Sequence, residues 1–358
     1  MLTTIFFYIK DLFSDISKYN SFIDLFSPLF RSLSKHNIDS YFLSEKKDVF
    51  FPFPTIDFSE HISSKPLTFF QDISSSLLLT QQSLNKEEVL FVSDCAEFLT
   101  TLNDLNYYTI GFTSSNNFLP TSYVFESFKD LDYTYFLHIW KRYQKEPITI
   151  LTTRHLIIRE LSANDFPSLY SLFEDKENIA YMENEGDYTS FCKKMSAYIE
   201  KVYPFYDFGL WGVFLKETDE LIGEFGIQPT VIAEKDEIEL GYLLHRNYQK
   251  KGYAKEAIRA IFRYAKKQFD CDRIVAKIHK DNEASIATAT ACGMRFEKTL
   301  SDPEDDFLLY VIYVQTDCFS SALKKQREDT AKQVYNIFQK KPDTRVYGKR
   351  YQRNSKNR

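Results

Sequence analysis

The chain has 358 residues, 44% of them hydrophobic and 27% charged, with a net charge of −5. That is too long for one ordinary domain and apolar enough to build packed cores, so two or three domains are expected and wholesale disorder is excluded. Lys324 to Arg358 carries twelve Lys/Arg against three acids, leaving about −14 on the residues before it. An acidic body is a poor partner for nucleic acid, and none is expected. The basic tail suits either weak, salt-screened contacts with anions or a solvated helix and chain end.

The cysteines at 95, 192, 271, 292 and 318 are scattered, with no C-x-x-C pair and no zinc-ligand spacing. Reduced thiols in the cytoplasm and no metal site are expected. Met1 to Phe13 is apolar but lacks the basic start and small-residue cleavage site of a signal peptide. No apolar run approaches the roughly 18 residues that span a bilayer, so no membrane association is expected.

In chain order, Ile5 to Ile9 is an apolar strand candidate that runs into Lys10 and Asp11. Phe26 to Lys35 reads as a helix and Ser40 to Leu43 as a strand. Val89–Val92 is a short apolar run, a buried strand ending in Ser93-Asp94. A helix follows from Ala96 to about Leu105, with Phe98, Leu99, Leu102 and Leu105 at helical spacing, and Tyr108–Phe112 is a second strand. This β–Asp–α–β unit predicts a parallel sheet with Asp94 at its carboxyl edge, where open α/β folds bind ligands. A helix over 131–143 closes this part, and a domain boundary falls near Lys145-Glu146-Pro147.

The second half predicts a strand at 155–160, helices at 163–174 and 188–202, and strands at 210–216, 220–227 and 236–244. A loop, a helix at 252–268, a strand at 272–279, a helix at 282–292 and a strand at 307–315 follow. A helical tail over 317–340 ends the chain. In the 236–244 strand Ile238, Leu240 and Tyr242 alternate with Glu239, Gly241 and Leu243. In the helix at 252–268, Ala254, Ala257, Ile258, Ile261, Phe262 and Ala265 form one apolar face. Between the two lies Gln249-Lys250-Lys251-Gly252-Tyr253-Ala254. Gly252 lets the backbone approach a ligand closely, and the small Ala254 keeps the helix start uncrowded. The unpaired N–H groups and positive dipole end of that helix make a phosphate site from backbone alone. A plain strand–turn–helix connection is the alternative.

The Q-x-x-G-x-A loop opening a long helix resembles the signature of the GNAT superfamily of acetyltransferases. Glu239-Leu240-Gly241-Tyr242-Leu243-Leu244, Asn282-Glu283-Ala284-Ser285 and Cys292-Gly293-Met294 are similar to the branch that acetylates ribosomal-protein N-termini. The resemblance covers about residues 150–316 and implies an α/β (α+β) GNAT fold, with a mixed central sheet and a long pyrophosphate-binding helix. It implies acetyl-CoA as cosubstrate, with Leu243 and Leu244 offering backbone groups to pantetheine. Gln249, Lys250, Lys251, Gly252, Tyr253 and Ala254 would take the pyrophosphate, and Asn282 and Ser285 the far arm. Asn282 also suits the N-cap of its helix, and Gly293 the residue just past its end.

The implied reaction is direct attack of a primary amine, of a small molecule or a protein N-terminus, on the thioester. Glu239 matches the acid that many members use as base; an exposed strand carboxylate is its other reading. The tyrosine some relatives use as acid is replaced by Ala289 here, which leaves Ser285 as preferred acid, with Tyr310 and Tyr313 behind it. The aromatic stretch Tyr203 to Trp211 suits an acceptor pocket or ordinary core, and Glu183 and Glu185 could attract a cationic amine.

Val89–Phe112 resembles the late segment of haloacid-dehalogenase-like phosphatases. Tyr8 and Lys10 stand where that family needs two acids, and neither forms a phospho-aspartyl and magnesium site. A degenerate, smaller α/β Rossmannoid-like domain at 1–146 is therefore expected, followed by the acetyltransferase domain at 147–316 and a basic tail at 317–358. Two alternatives remain: a CoA-sensing module whose first domain recruits a partner, and residual phosphatase activity through Asp94.

Overall fold

A computed structural model describes residues 1–9, 19–42, 85–113, 118–129, 131–182, 185–269, 271–301 and 306–314. Lys10, Glu183, Cys318 and the helical tail expected at 317–340 lie outside these residues.

Strands buried on both faces read as continuous apolar runs. Thr4–Tyr8 (β1) and Val89–Ser93 (β3) are such runs, with every residue buried. They join Asp39–Phe42 (β2), Tyr108–Phe112 (β4) and Val124–Phe125 (β5) in a parallel sheet of order β2-β1-β3-β4-β5. The expected parallel sheet is present, with Asp94 following the carboxyl end of β3. Helices α1 (Tyr19–Lys35), α2 (Ala96–Asp104) and α3 (Tyr133–Tyr143) accompany it.

The many phenylalanines pack this sheet. Phe7, Phe26, Phe128 and Phe136 share one core cluster with Ile139 and Trp140 of α3. Phe6, Tyr8 and Phe91 pack with Phe98 and Leu102 of α2 in another. Alternation along β1 sends its odd-numbered side chains to the first cluster and its even-numbered ones to the second. Phe26 and Phe128 sit 4.2 Å apart between ring centroids, and Phe6 stacks on Phe91 at 5.0 Å; such pairs add to simple area burial. Asp132 caps α3, accepting from the N–H groups of Thr134 at 2.9 Å and Tyr135 at 3.3 Å.

The second sheet contains Thr149–Thr152 (β6), Leu156–Arg159 (β7), Leu210–Leu215 (β8) and Leu221–Ile232 (β9). Lys235–Leu244 (β10), Arg273–His279 (β11), Arg295–Ser301 (β12) and Asp306–Tyr313 (β13) complete it. Its order is β12-β13-β11-β10-β9-β8-β7-β6. The pairings of β6–β7, β7–β8, β8–β9, β11–β13 and β12–β13 are antiparallel, and β10–β11 is parallel. Helices α4 (Phe166–Glu174) and α5 (Tyr188–Tyr206) follow β7, α6 (Tyr253–Phe269) links β10 to β11, and α7 (Glu283–Ala291) follows β11. Ala233 and Glu234, at φ 50° and 63°, make the tight turn from β9 into β10.

By compactness the chain groups as Met1–Gln228 with Gly241–Ala257, and Pro229–Leu240 with the described residues from Ile258 on. Within the first group, Arg142 of α3 bonds Glu160 at 2.7 Å and Asp207 at 2.6 Å. Arg142 and Glu160 are almost fully buried there. The two carboxylates hold the Arg142 guanidinium above its ordinary pKa against the opposing pull of its own burial. In the second group Arg273 bonds Glu237 at 3.0 Å, Glu297 at 2.7 Å and the Tyr313 hydroxyl at 3.0 Å.

Short or charged elements separate the sequence reading from the fold. β5 has two residues, and β12 (Arg-Phe-Glu-Lys-Thr-Leu-Ser) carries charges that mask its period. The expected helix at 163–174 starts as a 3₁₀ turn, Ala163–Asp165, because Ser162 and Asp165 form a capping box just before Pro167. Among the described residues no helix is long and apolar enough to cross a membrane.

Candidate active site

β10 and β11 run parallel, and in their register Glu239 faces Val275. Further along β10 the backbone is held from the β9 side. The N–H of His245 donates to the Ile222 carbonyl at 2.8 Å. A Cβ added at Gly223 would lie 2.5 Å from the Leu243 carbonyl oxygen, so only glycine fits there. Backbone groups of consecutive strand residues point to opposite edges. Leu243 therefore faces β9, while Tyr242 and Leu244 face the other edge.

After Leu244 a short 3₁₀ turn, Arg246–Tyr248, leads to Gln249. The Gln249 side-chain amide nitrogen donates to the side-chain oxygen of Asn178 and to the Leu244 carbonyl, each at 3.1 Å. Lys250 takes φ 60° and Gly252 φ 90°. No atom lies within 4 Å of where a Gly252 Cβ would sit. Glycine is needed there for its conformation, and the space beside it is open. The Gly252 carbonyl accepts the N–H of Glu256 at 3.0 Å, which starts α6. The first N–H groups of such a helix have no intrahelical acceptor and carry its positive dipole end. Lys250 and Lys251 are exposed.

Glu256 fixes the start of α6. Its carboxylate accepts from the Thr153 hydroxyl at 2.6 Å and the His155 N–H at 2.8 Å, and it meets His155 Nδ1 at 2.7 Å. Partial burial pushes this carboxyl up, but the bonds from His155 and Thr153 outweigh it and hold it below its ordinary range. Sequence reasoning passed over Glu256, since an acid in the first turn of a helix is common.

The other predicted residues have these settings. Asn282 caps α7 by accepting the Ser285 N–H at 3.0 Å, and Gly293 takes φ 97° just past that helix. Ala289 is fully buried. Tyr310 is buried against Phe296, whereas Tyr313 is exposed and held by Arg273. In the aromatic stretch, Tyr203 and Trp211 are core, and the Tyr203 hydroxyl donates to the Leu210 carbonyl at 2.6 Å. Glu185 pairs with Lys194 of α5 at 2.6 Å. Among the described residues no group of His, Cys, Asp or Glu is arranged to hold a metal.

One buried acid stands out that sequence reasoning missed. Glu224 of β9 is 8% exposed. Burial pushes its carboxyl up to about 7; Glu185 pushes the same way and Lys194 opposes. The available signal was a lone acid inside the apolar run Leu-Ile-Gly-Glu-Phe-Gly-Ile.

A strand, a glycine loop and the amino end of a long helix follow one another here, an arrangement suited to an anion. The family profile described as an acetyltransferase (GNAT) domain matches residues 155–295. The uncharacterized N-acetyltransferase YnaD of Bacillus subtilis is 30% identical over 151 residues, 41% of this chain and 83% of that protein. The uncharacterized N-acetyltransferase p20 of Bacillus licheniformis is 30% identical over 43% of this chain and 86% of its own length. A crystal structure of a GNAT-family acetyltransferase from Bacillus anthracis aligns at 21% identity and a TM-score of 0.40, covering 46% of this chain and 98% of that one. The chain belongs to the GNAT family, and its C-terminal half is an N-acetyltransferase domain.

Proposed function

We propose that this enzyme transfers the acetyl group of acetyl-CoA to a primary amine, either on a small molecule or at a protein N-terminus. The observation that carries this reading is the Gln249–Ala254 loop, with Gly252 at φ 90° at the head of α6. Its open space, free helix amides and lysines fit a pyrophosphate. Leu243 and Leu244 line the pantetheine arm. Alternation of the backbone favours Leu244 and its neighbour Tyr242 as the pair facing the cosubstrate. Asn282 and Ser285 both contact the cosubstrate, and the 3.0 Å bond from the Ser285 N–H to the Asn282 side chain gives that contact a fixed frame.

Direct transfer needs an amine that loses protons, a held thioester and a proton for the departing sulfur. Positioning supplies much of the rate, and each proton-transfer group about 10²–10⁴-fold. In this reading Glu239 acts as base toward the attacking nitrogen, directly or through water. Ser285 supplies the proton to sulfur.

Residues 1–146 form the accessory domain in this proposal, 147–316 the catalytic one and 317–358 the basic tail, in a cytoplasmic enzyme. A degenerate haloacid-dehalogenase-like origin for the accessory domain is supported by Asp94 after β3 and by Tyr8, which pairs with Ser93 and packs its ring 4.8 Å from Phe98. A buried tyrosine cannot serve as a phosphate acceptor there.

The direct test is CoA release from acetyl-CoA across a panel of primary amines and N-terminal peptides. At least one acceptor should give turnover that disappears with Gly252→Glu. Release that no amine accelerates would overturn the assignment.

A further inference from the structure

Glu224 lies on β9 between Gly223, which abuts the Leu243 carbonyl, and Phe225, whose ring stacks 5.9 Å from Tyr242. Its neighbours on β10 are thus Tyr242, Leu243 and Leu244, assigned above to the pantetheine arm. Glu224 forms no salt bridge with any described residue, and its carboxyl oxygens are not wholly shut off from solvent. A nearly buried carboxylate with no balancing cation is costly, so folds keep one chiefly where it has work to do.

The groups around it are few. Glu185 precedes α5, and Lys194, Tyr198 and Tyr203 lie on that helix; all act on Glu224 or are acted on by it electrostatically. The Tyr203 hydroxyl donates to the Leu210 carbonyl at 2.6 Å, whereas the Tyr198 hydroxyl accepts the Leu210 N–H at 2.7 Å and keeps its own proton to donate. Lys194 is drawn off by Glu185 and is largely exposed. Tyr198 can offer a neutral donor, but no cation among the described residues is left to balance a Glu224 carboxylate. Two carboxylates and one displaceable lysine make a local site for a cation.

We propose that Glu224 receives the acceptor, binding the ammonium form of a primary amine and taking its first proton. This rests on the acetyl-transfer reading above. In the step, the proton passes from the ammonium nitrogen to a Glu224 oxygen, leaving a free amine and a neutral carboxyl. The amine's lone pair then forms the C–N bond at the thioester carbon, and the C–S bond breaks with its electron pair on sulfur. After attack the nitrogen gives its second proton to Glu239, Ser285 protonates the departing sulfur to CoA thiol and is restored through water by the proton on Glu239, and Glu224 returns its own proton to solvent. A carboxyl that titrates near neutrality is suited to this exchange.

Ethylamine, small enough to need no specific pocket, is the probe. With wild-type enzyme and saturating acetyl-CoA, ethylamine-dependent kcat/KM should rise with pH and level off above about 7. Glu224→Gln should lose that break, its rate tracking free amine instead, and at neutral pH it should fall about 10²–10⁴-fold. Glu224→Asp should keep the break at a lower rate. Independently of turnover, wild-type protein at pH 6 should show an infrared band of a buried protonated carboxyl that is absent in Glu224→Gln. Both proteins should melt higher with acetyl-CoA. With that shift intact, superimposable pH profiles, no ethylamine-dependent release by wild type, or an absent carboxyl band would overturn the Glu224 assignment alone. No shift in either protein would overturn the cofactor reading, and the assignment with it.

Discussion

The side-chain amide of Gln249 donates to the side-chain oxygen of Asn178 and to the Leu244 carbonyl at the same 3.1 Å. One nitrogen thus ties the loop before α6 both to the segment after α4 and to the end of β10. The polar side chain that leads the loop is spent on holding it, so in the proposed acetyl-CoA site the backbone amides would meet the ligand.

Gln249→Ala should therefore weaken acetyl-CoA through disorder of the loop, with no ligand contact removed. Two hydrogen bonds of about 1 kcal/mol each set the scale, about a 5–30-fold rise in Kd by calorimetry. The melting temperature of the free protein should move little, because the side chain is exposed. An unchanged Kd would show that the loop holds its shape without the glutamine.

Gly252→Ala separates conformation from space. Nothing lies within 4 Å of the new methyl, but φ 90° is costly for any residue with a Cβ. A loss of about 1–2 kcal/mol, in stability or in cosubstrate affinity, is expected from denaturation and binding curves. A neutral result would mean that the loop relaxes to a negative φ without affecting the site.

The Arg142–Glu160 pair, buried with Asp207 as a second acceptor, should be sensitive to half-removal. Arg142→Met strands the Glu160 carboxylate and should cost about 3–5 kcal/mol in urea unfolding. The double variant Arg142→Met with Glu160→Leu should recover much of that. Equal losses in the single and double variants would argue that packing of the arginine stem matters more than its charge.

Glu224 predicts a pH dependence of stability with a definite sign. An unfolded chain gives up this proton near 4.5, while the folded chain keeps it to about 7. Between those values the native state binds more protons, so this group lowers stability as pH rises, and the penalty is complete above 7. Glutamine carries no such penalty. Glu224→Gln should match wild type near pH 4 and exceed it by on the order of 3 kcal/mol at pH 8. A gap that does not grow with pH would place Glu224 in a wetter setting.

Glu239→Gln should lower turnover by about 10²-fold while acetyl-CoA affinity stays within a factor of two. An unchanged rate at saturating amine and neutral pH would remove Glu239 from the proton path.

The legible parts of this chain were those with a strict local period. The apolar face of α6 and the Gln249–Ala254 loop announced a long helix with a glycine turn at its head. The run Val89–Val92 and the segment Tyr108–Phe112 announced buried parallel strands. What stayed hidden was set by tertiary packing. Glu224 looks like any strand acid until α5 and β10 bury it. Arg142 looks like an ordinary basic residue near a helix end until Glu160 and Asp207 close on it. β12 is held chiefly by pairing with β13, and its charged sequence gives no period to read.

The central claim is that the loop at the head of α6 holds acetyl-CoA. Isothermal titration of acetyl-CoA into wild type and Gly252→Glu tests it most directly, because the substituted carboxylate would stand where the pyrophosphate should sit. Saturable one-to-one binding in wild type, lost in a variant that remains folded, is the predicted result. No binding to wild type, or equal affinity in the two proteins, would contradict it.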